Sequence, residues 1–187
     1  MTLNELQQTC QNCSKCDLYQ TRTNVVFGAG NPDADIMFIG EGPGQNEDIQ
    51  ALPFVGRSGR LLTGYLGAVG LDRKDVYITN IVKCRPPANR DPKPEEQETC
   101  IEYLKSQVRI INPKIIVCLG RIASARLIDK DFRVTKSHGE FIERKGYLMM
   151  GTYHPAALLR NSNLKFDVLN DFKNIIQEIA KITKTEF

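Results

Sequence analysis

Three short apolar runs set at wide intervals constrain this chain more than any other feature. Residues 35–39, 76–82 and 114–119 are too short for buried helices and rich in β-branched or bulky apolar side chains, which suits strands buried on both faces. Between them the apolar positions recur at helical spacing. Leu61, Leu62, Tyr65, Leu66 and Val69 make one such stripe, and "DPKPEEQETCIEYLKSQV" starts with proline and acids, as a helix N-terminus does. A short helix through Leu127 follows the third run. Residues 141–143 and 147–152 form a strand pair around Lys145-Gly146, and a last helix carries Phe166, Leu169, Phe172, Ile176 and Ile179 on its inner face. Strands alternating with helices predict an α/β fold of three layers, α/β/α, around a mostly parallel central sheet of four strands.

The chain has 187 residues, 41% of them hydrophobic, enough for one good core. The expectation is therefore a single domain over 1–187, with residues 1–30, which hold three cysteines and little periodicity, as an irregular arm. A net charge of +3 permits an anionic partner without demanding one. No run reaches the length of a membrane helix, and "MTLNELQQTC" lacks the basic-then-apolar plan of a signal peptide, so a soluble cytoplasmic protein with no membrane partner is expected. In that compartment six cysteines stay reduced, as core residues, nucleophiles or metal ligands.

In an open α/β sheet, ligands bind beyond the carboxyl ends of the strands. Three stretches fall there: the glycine-rich loop 40–48, Asn80, and "TYHPAALLR" with His154. The loop has neither the dinucleotide nor the phosphate-loop spacing of glycines. Asn80 is a polar residue closing an apolar strand, either a satisfied core amide or a reader of some ligand. Cys13 and Cys16 form a C-x2-C that could meet Cys84 and Cys100, a set that suits zinc or an iron–sulfur cluster equally. Cys10 forms a competing pair with Cys13. Cys118, inside an apolar run, reads as core, and His138 as a surface-loop residue.

"GEGPGQNED", "PFVGRSGRLL", "VYITNIVKCRPPANRDPKPEE" and "TYHPAALLR", in that order behind a C-x2-C, resemble the family-4 uracil-DNA glycosylases, the iron–sulfur type. The resemblance runs from about Cys13 to the final helix. It implies a DNA-repair hydrolase that flips uracil out of DNA, cleaves its N-glycosidic bond and leaves an abasic site, with one [4Fe-4S] cluster on Cys13, Cys16, Cys84 and Cys100. The surroundings "CSKCDLYQTRT" match the family at Cys13 and Cys16, which makes Cys10 a spare thiol. Gly40, Glu41 and Gly42 then line the uracil as bare backbone, Phe54 is the stacking platform, and Glu47 sits beside C5, where it would exclude the methyl of thymine. Asn80 can accept from uracil N3–H and donate to O4, whereas cytosine presents the opposite pattern. His154 would aim an N–H at O2 as charge develops there, an interaction worth about 3–4 kcal/mol. Glu41, Asn80 and His154 thus form the implied catalytic set, without the aspartate that other glycosylase families use at the first motif.

The implied partner is uracil-containing DNA, single- or double-stranded, met by a monomer at the nucleoid of a prokaryote. Lys83, Arg85, Arg90 and Lys93, in or beside the loop between two cluster cysteines, are candidate phosphate contacts, as are Arg57 and Ser58 at a helix start. Leu158 or Leu159 would wedge into the stack while Arg160 holds a phosphate or the vacated position. The competing readings are a glycosylase of broader specificity for deaminated bases and a non-catalytic metal-bearing nucleic-acid module.

Overall fold

The structure, a computed structural model, describes residues 1–185. Its centre is a sheet built on β2 (Ile36–Gly40), β3 (Tyr77–Asn80), β4 (Ile115–Leu119) and β6 (Tyr147–Thr152), all parallel, with β1 (Ala29–Gly30) and β5 (Phe141–Arg144) pairing antiparallel at the two edges. The order is β1-β3-β2-β4-β6-β5, so the sheet has six strands where four were expected. Three of the four parallel strands are the apolar runs, and the fourth, β6, is the second arm of the strand pair read around Lys145-Gly146. The additions are a two-residue strand too short to show a period and the outer arm of the hairpin.

Alternation along β2 assigns the two faces. Ile36 and Phe38 meet Leu62 and Leu66 of α3 (Arg57–Ala68) and Phe172 of α8 (Lys165–Thr185), while Met37 and Ile39 meet Ile101 and Leu104 of α4 (Pro94–Ile111). The chain leaves β2 through α2 (Gln45–Gln50) and then α3 on one face to reach β3, crosses by α4 on the other face to reach β4 on the far side of β2, and passes α5 (Gly120–Leu127) and α6 (Val134–Ser137) before the β5–β6 hairpin. That reversal opens a crevice at the carboxyl end of β2, where ligands sit in folds of this kind.

Three expectations need correction. The first residues are not wholly irregular, because α1 (Leu3–Gln11) is closed by a capping box between Thr2 and Glu5 and buries Leu6 and Cys10 one turn apart beside α4. On α8 Phe172 is buried and Ile179 packs beside it as expected, but the other inward residues are Val168 and Ile175, and Phe166, in the first turn, is 77% exposed. Leu158, offered as a DNA wedge, is 2% exposed on α7 (Pro155–Arg160) and packs into the core with α3 and α8, whereas Leu159 is 43% exposed. Consecutive residues of a helix point to different sides, so only one of the two leucines can face out.

Leu158→Ala should therefore cost about 2–5 kcal/mol of unfolding free energy, and Leu159→Ala no more than about 0.5 kcal/mol, measured by urea denaturation. Equal losses would contradict the inward placement of Leu158.

Candidate active site

The parallel register places Gly40 opposite Asn80 at the end of the β2–β3 pair. Hydrogen bonds continue the pairing past the strands, from Ile81 N to Gly40 O at 2.9 Å and from Val82 N to Glu41 O at 3.1 Å. The glycine-rich loop and the segment leading to Cys84 are thereby held together. Asn80 is 1% exposed, and its Oδ1 is buried with no hydrogen-bond partner among the described residues. Such an oxygen costs free energy unless something arrives to donate to it.

A methyl at Gly40 would collide with that oxygen and would stand 2.6 Å from the Phe54 ring, which is why no side chain is tolerated there. Phe54 has a φ of 52°, a strained value for a bulky residue. Its loop is held from both sides. Glu47 Oε1 accepts from Val55 N at 2.9 Å and from Gly56 N at 2.8 Å, and Arg73 donates to Phe54 O at 3.0 Å and to Pro53 O at 2.7 Å. Neither clamp was visible in the sequence, since Arg73 lies far along the chain in a turn. Glu47 lines the cleft, with one carboxylate oxygen committed to that loop.

His154 follows β6 and stands 5.6 Å from the Phe54 ring, centroid to centroid. It caps α7, its Nδ1 accepting from Ala156 N at 3.1 Å. An acceptor at Nδ1 puts the proton of the neutral ring on Nε2. Burial, with Arg160 nearby, pushes the imidazole pKa down to about 4, so the neutral form prevails at pH 7. Gly120, at φ 88°, admits the histidine, for a methyl there would stand 2.8 Å from His154 Cβ. That glycine after an apolar run was a signal available in the sequence.

Glu47, Phe54, Asn80, Gly120 and His154 line one cleft of about 670 Å³, with Gly40 just behind Asn80 and Phe54. Glu41, Gly42, Ser58, Arg90 and Arg160 also border it, while Arg57 is exposed at the start of α3. Burial and the nearby Asp91 raise the Glu41 pKa. Arg90 makes a two-pronged ion pair with Glu96, at 2.6 and 2.9 Å, and Arg85 donates to Asn89 Oδ1 at 2.8 Å. Lys93 is exposed at the start of α4, where its main-chain N donates to Glu96 at 2.7 Å. Lys83 is not a surface residue at all: it is 1% exposed, because its ammonium finds three acceptors inside the domain. His138 is likewise tied down, its Nδ1 lying 3.0 Å from both oxygens of buried Asp171, which also accepts from Thr152 Oγ1.

Behind the cleft, Cys13, Cys16, Cys84 and Cys100 line a second, smaller pocket, and Cys10 lines it too. Arg22 donates to Cys84 Sγ at 3.2 Å and Lys83 N to Cys100 Sγ at 3.3 Å. Among the described residues, no three Cys, His, Asp or Glu side chains stand grouped as ligands of a metal ion. Cys118 is fully buried in β4.

A cleft at the carboxyl ends of the parallel strands, floored by bare backbone and walled by an aromatic ring, an orphan amide oxygen and a neutral histidine, suits a flat heterocycle carrying an N–H. The model of the uracil DNA glycosylase superfamily matches residues 27–180. Within it, the chain is 45% identical to the type-4 uracil-DNA glycosylase of Archaeoglobus fulgidus over its whole length and 98% of that protein. It is 46% identical to the type-4 enzyme of Thermotoga maritima, over 94% of each chain, and to that of Sulfurisphaera tokodaii, over 96% of this chain and 85% of the other. The chain belongs to the type-4 uracil-DNA glycosylase family.

The state of His154 can be read directly. Its folded pKa, about 4, lies below the ordinary 6.5, so the unfolded chain binds the extra proton first and stability contributed at this site is lost as pH falls from about 6.5 toward 4. Nitrogen NMR at pH 7 should show a protonated Nε2 and a bare Nδ1, with no inflection near 6.5; an inflection there would contradict the neutral assignment.

Proposed function

We propose that the protein extrudes uracil from DNA into this cleft and hydrolyses its N-glycosidic bond, leaving an abasic site. The observation that carries the reading is the orphan oxygen of Asn80, buried beside Gly40 and the Phe54 ring. Uracil N3–H supplies the missing donor, whereas cytosine N3 bears no hydrogen and would leave two acceptors face to face. The Phe54 ring is the platform, and Gly40 and Gly42 let backbone approach the base.

Bond cleavage leaves negative charge on the ring. In this reading the Nε2–H of neutral His154 donates to O2, and no proton need be transferred for that oxygen to be stabilised. Glu41, at the rim, steadies the sugar side or orients water. Glu47 acts chiefly by holding the Phe54 loop, which shapes the space beside C5 where thymine carries its methyl. Leu159 replaces Leu158 as the residue able to enter the stack, with Arg160 beside it and Arg57 and Ser58 toward the phosphates. Hypoxanthine presents the same N–H next to a carbonyl, so it belongs among the substrates tested. No described helix is long and apolar enough to cross a membrane, and a place at a prokaryotic nucleoid belongs to the same proposal.

A [4Fe-4S] cluster on Cys13, Cys16, Cys84 and Cys100 fits the second pocket by its donor chemistry: thiols from the arm, the loop and α4 converge there, and two already accept N–H donors, as cluster thiolates do. When bound it serves as a cross-link, pinning the arm and loop behind Asn80. Cys10 belongs to the inner face of α1 and is left over.

Oligonucleotides carrying uracil, thymine, cytosine or hypoxanthine, cleaved with alkali after incubation, test the activity: abasic sites should form at uracil, and none at uracil would refute it. His154→Ala should slow single-turnover excision by about 10²–10³-fold with DNA affinity nearly unchanged. Iron should be lost from Cys84→Ala and Cys100→Ala and kept in Cys10→Ala; full iron in Cys100→Ala would sink the ligand assignment.

A further inference from the structure

Lys83 is the buried group that the proposed chemistry leaves unexplained. Its Nζ lies 2.6 Å from Thr79 Oγ1, 2.7 Å from Asn80 O and 2.6 Å from Gln107 Oε1. Each of the three is an acceptor. Thr79 gives its only hydroxyl proton to Phe27 O at 2.7 Å, and Gln107 turns its amide nitrogen to the same carbonyl at 2.8 Å, which leaves Oε1 facing the lysine. Three acceptors around one nitrogen require three N–H protons, so the group is an ammonium.

A buried cation with only neutral partners needs an opposite charge close by. No ion pair among the described residues includes Lys83. Lys83 itself lines the cysteine pocket with Cys10, Cys84 and Cys100, and Cys84 and Cys100 would supply the opposite charge as thiolates once a cluster is bound. Its main chain is tied to the same region: Lys83 N donates to Cys100 Sγ at 3.3 Å, and Lys83 O accepts from Val26 N at 2.8 Å where the arm returns. One residue therefore touches the sulfur of a cluster ligand with its backbone and the carbonyl of the base reader with its side chain.

We propose that Lys83 is a positioning residue, holding Asn80 by its carbonyl while the thiolates of a bound cluster balance its charge, so that the cluster and the uracil pocket are set by one residue. The inference rests on the uracil and cluster readings above. It goes further in giving the cluster a defined line of action on the pocket. Removing the cation frees the Asn80 peptide and strips the thiolates of a nearby positive charge. Two losses should appear together, one in chemistry and one in iron retention.

Lys83→Met keeps the length and volume and removes the charge. At equal iron content it should slow single-turnover uracil excision about 10- to 100-fold, with affinity for uracil-containing duplex within about threefold, and should release iron to a chelator about tenfold faster. Thr79→Val keeps the cation and takes one acceptor away. It should slow excision by about three- to tenfold and leave iron release unchanged, and it carries the test if Lys83→Met does not accumulate as folded protein. A lysine that merely fills the core would change the melting temperature while leaving the excision rate per folded molecule as it was. Excision within twofold of the unmodified protein in either variant, or unchanged iron release in Lys83→Met, overturns the proposal. An unmodified protein that neither excises uracil nor carries iron would instead refute the readings beneath it.

Discussion

The pairing of Gly40 with Asn80 is the constraint on which the rest of the molecule depends. It places a residue without a side chain opposite one whose amide oxygen is left unpaired, at the point where the chain reverses its direction of winding across the sheet. Bonds from Ile81 and Val82 back to Gly40 and Glu41 carry that pairing beyond the strand ends. A slip of one residue would turn Asn80 to the other face and bring Thr79 to the cleft. The packing of α3 and α4 on opposite faces serves to keep this one register.

What surrounds the pair is a set of polar groups given fixed roles in advance. Glu47 and Arg73 hold a strained loop so that the Phe54 ring stands against Gly40. Ala156 N takes Nδ1 of His154 and leaves the opposite nitrogen to donate. Preorganised donors of this kind need no rearrangement as charge develops, and in a partly dry cleft they act more strongly than in water. The orphan oxygen of Asn80 is the converse, a cost carried by the empty site that a ligand N–H relieves.

Much of this was legible in the sequence, for physical reasons. The parallel strands show as apolar runs because both faces are covered, and the site loops show because glycine, proline and a stray asparagine interrupt those runs. Lys83 was misread because a lysine beside a cysteine in a basic loop looks solvated, and only the fold brings Gln107 and the Asn80 carbonyl to it. Leu158 and Leu159 could not be told apart before the helix start at Pro155 was known. His138 does sit in a turn, but its partner, Asp171, lies on a helix thirty-three positions away and left no mark in the sequence. Contacts between distant segments leave no period in the sequence.

The central claim is that Asn80 reads uracil through its buried oxygen. A crystal structure with free uracil soaked into the cleft tests it most directly. The account predicts N3–H of the base donating to Asn80 Oδ1, the ring lying over Phe54, and O2 facing His154 Nε2. Uracil bound elsewhere, or bound here with Asn80 Oδ1 still unpaired, would contradict it.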